Sequence, residues 1–174
     1  MLEIEIKLPV SDLETAREKL QEAGAVLHRD RLFEENTLYD LQGDPLLAKR
    51  SALRLRKCGK KAYLTFKGPP KKSRKFKVRD EFETEVRNHR QMKQILMALG
   101  FKSVFHYQKY RTVYRTKKLR ICLDETAVGN FLELEGERNH IVRFAQRLGY
   151  GKQDFVKSDY ISLILERSSS DLDS

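Results

Sequence analysis

Acidic residues recur two positions apart along this chain, and basic residues do the same. Glu3 and Glu5 come first, Glu81, Glu83 and Glu85 form a triplet, and Glu133 and Glu135, continued by Glu137, come last. Arg54 with Arg56 and Lys109 with Arg111 are the cationic counterpart, joined by Lys67 and Arg120. On an extended strand, residues two apart share a face at a spacing of about 6.5–7 Å, so each pair sets two like charges side by side. On a wet face such rows bring only repulsion. Facing one another, acidic and basic rows are compensated. Glu3, Glu5, Glu133 and Glu135 are hard oxygen donors suited to Mg²⁺ or Mn²⁺, with no soft ligand set nearby. The forks of Arg54, Arg56, Arg111 and Arg120, with Lys67 and Lys109, match phosphate oxygens. A metal-bridged polyanion neutralises both sets, and triphosphate is the natural candidate.

The elements that must carry these rows are strands. Leu2, Ile4, Ile6 and Leu8 alternate with Glu3, Glu5 and Lys7, and Leu53 and Leu55 alternate with Arg54 and Arg56. The same period of two runs through Leu64–Lys67, Glu81–Val86, Lys109–Arg115, Leu119–Asp124 and Leu132–Glu137. Hairpin breaks fall at Gly59-Lys60 and around Thr116-Lys117. Three amphipathic helices interrupt the strands. Ser11 with Glu14 reads as a capping box for a helix ending at Gly24, and Asn88 with Gln91 for one ending at Gly100. A third begins around Asn139 and ends at Gly149. Each follows a strand with Glu-x-Glu, so a strand–capped helix–glycine unit occurs three times. A short last helix is expected from Ser158 through Ile161, Leu163 and Ile164, then a frayed polar tail from Ser168 to Ser174. Gly68-Pro69-Pro70 and the following Lys71, Lys72, Arg74, Lys75, Lys77 and Arg79 read as a solvated basic loop.

Two architectures share this sidedness: a two-layer sheet with a wet charged face, or a closed barrel with the charges inside and helices outside. The like-charge rows favour the barrel, and eight strands leave an interior wide enough for side chains or one small ligand. The fold class expected is therefore α+β, a closed eight-stranded antiparallel β-barrel with a charged lumen.

Composition limits the alternatives. Lysine and arginine number 35 against 25 acids, a formal charge of +10 that asks for an anionic partner. No apolar run reaches the roughly 20 residues that span a bilayer, and acids stand where a signal peptide needs a basic and then apolar stretch. Cys58 and Cys122 fit neither a disulfide framework nor a zinc spacing, and His28, His89, His106 and His140 stand alone. A cytoplasmic protein is expected. There is no P-loop, GxGxxG or GxSxG. A nucleic-acid binder is the competing reading, motivated by the basic Lys57–Arg79 stretch. Aromatic residues are not interleaved there as base stacking requires, so nucleic acid is not the expected partner. Monomer and homodimer both stay open.

The ordered set of segments resembles the CYTH superfamily, the triphosphate tunnel metalloenzymes that include class IV adenylate cyclases and thiamine triphosphatase. The resemblance runs from Glu3-Ile4-Glu5-Ile6-Lys7 through Leu53–Arg56, Leu64–Gly68, Tyr110-Arg111 and Leu123–Glu125. It ends with Phe131–Glu135 and Lys157-Ser158-Asp159-Tyr160. It implies a single tunnel domain over residues 1–167, with divalent metal held by Glu3, Glu5, Glu133 and Glu135. It further implies phosphate binding by Lys7, Arg54, Arg56, Arg111 and Arg120, supported by Asp124. Lys67 and Lys109 become the candidates for polarising the scissile phosphate, and two of Glu81, Glu83 and Glu85 become further tunnel acids. The reaction implied is that of an adenylate cyclase, ATP to cyclic AMP and pyrophosphate. Hydrolysis of tripolyphosphate, thiamine triphosphate or a nucleoside triphosphate is the alternative.

Overall fold

A computed structural model describes residues 2–156 together with Ser158, Tyr160 and Ser162. Eight strands are present: β1 (Leu2–Val10), β2 (Val26–Asp40), β3 (Ala52–Cys58), β4 (Lys61–Lys67), β5 (Lys77–Val86), β6 (Lys102–Arg115), β7 (Leu119–Thr126) and β8 (Gly129–Gly136). They join in the order β1-β5-β4-β3-β2-β6-β7-β8, a closed antiparallel barrel. Helices α1 (Leu13–Glu22), α2 (Pro45–Ala48), α3 (His89–Ala98) and α4 (Arg138–Arg147) pack around it. The α+β barrel expected from the charge rows is the fold observed. No helix among the described residues is long and apolar enough to cross a membrane.

The strand–helix–glycine unit is real. Strand β1 leads to α1 and Gly24, β5 to α3 and Gly100, and β8 to α4 and Gly149, the three glycines at φ +78°, +91° and +90°. Left-handed backbone just past a helix lets its last carbonyls be capped, which glycine adopts without a Cβ clash. Asn88 caps α3 as expected, its side chain accepting from Gln91 N at 3.0 Å. At α1 the cap is Asp12 rather than Ser11, accepting from Thr15 N at 2.7 Å. The chain offers two capping residues in a row, and the later one starts the helix.

Other boundaries differ from expectation. Strand β2 and the one-turn α2 carry no clear period and were not anticipated. Strand β6 begins at Lys102, well before Lys109, and β5 begins at Lys77 inside the expected basic loop. Of the expected last helix, Tyr160 and Ser162 are helical, while Ile161, Leu163 and Ile164 lie outside the described residues, as does the 168–174 tail.

The chain divides into two compact units. Unit one holds the N-terminal residues to Glu3, Leu32–Lys72 and Val78–Lys109. Its core sets Tyr39, Leu55, Ala62 and Val86 beneath Leu96 of α3. Unit two holds Ile4–Arg31, Ser73–Lys77 and the described residues from Tyr110 onward. There Ile6, Leu8, Ile121 and Leu134 pack against Leu20 of α1 and Ile141 and Phe144 of α4. Complete burial of such a leucine or isoleucine contributes about 1.5–3 kcal/mol by transfer from water.

Register then decides which charges meet. In unit two Glu5 opposes Glu135 and Lys7 opposes Glu133, while on the other side of β8 Arg120 opposes Glu135 and Cys122 opposes Glu133. With a period of two, these residues and Asp124 share the face away from Ile6, Ile121 and Leu134. In unit one Asn36 opposes Arg56, Arg54 opposes Thr65, Thr65 opposes Glu83, and Lys67 opposes Glu81. That face lies away from Leu55. The sheet geometry alone collects the charges.

Candidate active site

In unit two the centre of the charged face is withdrawn from solvent, while Arg120 and Glu135 at its margin stay about a third exposed. Lys7, only 2% exposed, holds its Nζ 3.4 Å from Glu5 Oε1 and 3.3 Å from Glu133 Oε1. Lys77 Nζ approaches the same Glu5 oxygen at 3.1 Å. Arg111 forks onto Asp124, Nε donating to Oδ1 at 2.6 Å, and also reaches Glu133. Tyr160 donates its hydroxyl to Asp124 Oδ2 at 2.6 Å, and Lys7 Nζ lies 5.0 Å from its ring centre. Arg120 pairs with Glu135 at 2.9 Å. Burial acts to lower the Lys7 pKa, but Glu5 and Glu133 outweigh it and hold the ammonium above its ordinary value. Burial, then the Asp124 and Glu133 charges, push the Tyr160 phenol well up. Burial also raises the Cys122 thiol to about 11, which keeps it protonated and inert among these charges.

Unit one carries a second set. Lys67 Nζ lies 2.8 Å from Glu3 Oε1 and 2.5 Å from Glu81 Oε2. Arg56 donates to Glu83 Oε2 at 3.0 Å and lies 3.6 Å from Glu34 Oε1. Arg54 reaches Thr65 Oγ1 at 3.3 Å, and Thr65 donates to Glu83 at 2.6 Å. Burial works to raise the Glu81 carboxyl, but a hydrogen bond with Glu3 and the charge of Lys67 hold it down at about 2. Lys109 is buried. Glu85 is not part of the set: it pairs with Lys61 where both side chains are more than half exposed.

Among the described residues, no three of His, Cys, Asp and Glu gather as a ready metal cage. Each carboxylate instead holds an ammonium or guanidinium group. The donor chemistry nevertheless fits a hard divalent ion, because Glu5, Glu133 and Glu135 share one face and two of them converge on the single cation of Lys7. Magnesium and manganese take such oxygens, with waters or phosphates completing the shell.

Residues 1–147 match the CYTH domain. The chain belongs to that family. A Methanocaldococcus jannaschii protein named "putative adenylate cyclase" is 27% identical, over 94% of this chain and 98% of its own length. A solved Pyrococcus horikoshii structure is 28% identical with a TM-score of 0.78, covering 95% of this chain and 99% of that one. A Hippeastrum protein, whose structure is described as revealing a dominant triphosphatase activity, is 21% identical with a TM-score of 0.71 over 94% of this chain and 95% of its own. At that identity the likeness to the Hippeastrum protein is one of fold.

The CYTH chain also brings residues to its charged faces that sequence reasoning passed over. Glu34 and Asn36 come from the unanticipated β2; Glu34 pairs with Arg56, and Asn36 is fully buried with no hydrogen-bond partner for either amide atom among the described residues. Lys77 and Arg79 are buried strand residues, not loop cations. The alternation of Lys77, Arg79, Glu81 and Glu83 was the signal that could have found them.

Proposed function

We propose that the chain is a divalent-metal-dependent enzyme acting on a triphosphate, as an adenylate cyclase in the first reading and a triphosphatase in the second. The observation that carries this is the buried row on β1 and β8, in which two carboxylates share one ammonium and are flanked by Lys77 and Arg111. In unit two Glu5, Glu133 and Glu135, and in unit one Glu3, are the carboxylates assigned to metal. A metal bound there would neutralise phosphate charge and polarise a phosphoryl oxygen as a Lewis acid.

The chain's own groups supply the rest. Lys7, Arg111 and Arg120 in unit two, and Arg54 and Arg56 in unit one, are assigned to phosphate oxygens. Their carboxylate partners already hold them in place, so little reorganisation is needed when charge develops. Asp124 fixes the Arg111 fork, and the Tyr160 hydroxyl fixes Asp124. Lys67 and Lys109 are assigned to the phosphate under attack, with Glu81 and Glu83 as further acids of unit one. In the cyclase reading the ribose 3′-hydroxyl attacks the α-phosphorus and pyrophosphate leaves. In the hydrolase reading water attacks the terminal phosphorus, its bond to the bridging oxygen breaks, and the diphosphate leaves as inorganic phosphate is formed. The name of the archaeal relative supports the first, and the activity described for the Hippeastrum protein supports the second. Residues 1–167 are taken as one catalytic domain, with a small-molecule triphosphate as partner and the cytoplasm as its place of work.

Product analysis tests the proposal. ATP, tripolyphosphate and thiamine triphosphate are each incubated with Mg²⁺ or Mn²⁺, alongside Glu133→Gln. Cyclic AMP with stoichiometric pyrophosphate is the expected result, lost by about 100-fold or more in the variant and abolished by chelation. Inorganic phosphate without cyclic AMP selects the hydrolase. Absence of turnover on all three substrates, or full activity of Glu133→Gln, overturns the assignment.

A further inference from the structure

The outer side of α4 carries a cluster of cations that the barrel chemistry does not use. The helix RNHIVRFAQR contains three arginines and a histidine and no acid. Ile141, Phe144 and Ala145 bury one side of it. His140, Arg143 and Arg147, at spacings of three and four, run down another stripe. Next to that stripe the turn between β6 and β7 presents Lys117 and Lys118. Thr116 locks this turn: its N–H donates to Leu119 O at 3.0 Å, and its Oγ1 accepts from the backbone N–H of Lys118 and Leu119 at 3.2 and 3.0 Å. Gly136, at φ +153°, passes so close that a Cβ there would sit 2.7 Å from Lys118 O. Turn and helix are therefore held in fixed relation on one side of unit two.

Between them lies a cavity of about 340 Å³, lined by Thr116, Lys117, Lys118, Leu119, His140, Arg143, Phe144 and Arg147. That size is within the range of small-molecule sites. No acid lines it, and Lys117, Lys118, Arg143 and Arg147 make no ion pair with any described residue. On the two charged faces, by contrast, carboxylates sit against the cations. Like charges at i and i+4, as at Arg143 and Arg147, destabilise a helix unless an anion joins them. The cavity also has an apolar floor, the buried Leu119 and Phe144, beneath its cationic rim. Inorganic phosphate engages only the rim; a flat ring bearing a phosphoryl group engages rim and floor together, and guanidinium planes stack on such rings. Leu119 belongs to the apolar face of β7, so this cavity is on the opposite side of the strand from Arg120 and Asp124. It is separate from the proposed catalytic residues.

We propose that the α4 cavity is a second ligand site, which binds a small aromatic phosphate of the nucleoside monophosphate type. The test is a titration of the full chain with AMP, followed by amide chemical shifts in ¹⁵N-labelled protein. Adenosine and inorganic phosphate serve as the two half-ligands. Saturable shifts at Lys117, Lys118, Leu119, Arg143 and Phe144 are expected, with a Kd below about 1 mM and each half-ligand at least about ten-fold weaker. Arg143→Gln/Arg147→Gln should weaken AMP by about ten-fold or more while leaving triphosphate turnover unchanged, and Lys117→Ser/Lys118→Ser should weaken it similarly. Shifts confined to other residues, unaltered AMP affinity in both variants, or phosphate alone matching AMP would each overturn the assignment. So would a single-stranded 12-mer oligonucleotide binding the same residues about 100-fold more tightly than AMP, because that marks a nucleic-acid surface.

Discussion

The two charged faces are built from the same residue types on the same strand period, yet they sit in different surroundings. In unit two, Lys7, Asp124 and Arg111 are sealed beneath Tyr160 and held by several partners at once. In unit one, Glu83 carries Arg54, Arg56 and Thr65 but remains about a third exposed. Water can compensate the loss of a partner in the second case and not in the first. The Lys7–Arg111–Asp124 cluster thus couples chemistry to stability, whereas the Glu83 carboxylate can be changed at smaller cost to folding. Buried charge is where one substitution does the most damage.

Removal of Asp124 should have the largest effect. Asp124→Ala removes the buried carboxylate onto which Arg111 forks and the Tyr160 hydroxyl donates, at a cost of about 3–5 kcal/mol. Urea unfolding measures it, and a loss as small as that of a surface pair would break the contrast between the units. A middle-sized effect belongs to pH in unit one. The Glu81 carboxyl is held at about 2 instead of 4.5. A lowered folded-state pKa gives stability that is present above the unfolded value and lost as pH falls from 4.5 towards 2. Wild type should lose stability across that window more steeply than Glu81→Gln, and parallel curves for the two would refute the coupling to Lys67 and Glu3. The smallest effect is expected at the Lys61–Glu85 pair, exposed on both sides. Lys61→Ala should stay within about 0.5 kcal/mol, as solvent-screened pairs do.

What the sequence revealed follows the same physics. Strands with one face buried under a helix alternate cleanly, and β1, β3, β7 and β8 were legible for that reason. Strand β2 was not: its first six residues, Val26–Arg31, are exposed on both faces, so nothing forces a period on them. Glu34 and Asn36 were hidden with it. Lys77 and Arg79 were obscured differently, by a local density of Lys and Arg that resembles a solvated loop. Only burial against acids such as Glu5 separates the two cases, and burial is not written in composition. Register was also unreadable. The pairs Glu5–Glu135 and Lys7–Glu133 depend on which strand lies beside β1, a choice made by the whole sheet.

That choice has a consequence for how the protein is made. Strand β1 lies in register with β8 over six residue pairs, and Lys7 exchanges backbone hydrogen bonds with Val156 at 3.0 and 2.9 Å. During synthesis β1 therefore emerges well before the β8 strand it pairs with. Until then Glu5 and Lys7 travel on an unpaired edge beside the exposed apolar side chains of Ile6 and Leu8. Contacts this distant in sequence make folding slow and leave nascent edges open to wrong partners. Premature release before Gly129 would yield a chain with no Glu133 or Glu135 and a persistently sticky β1, a natural substrate for chaperones and proteases.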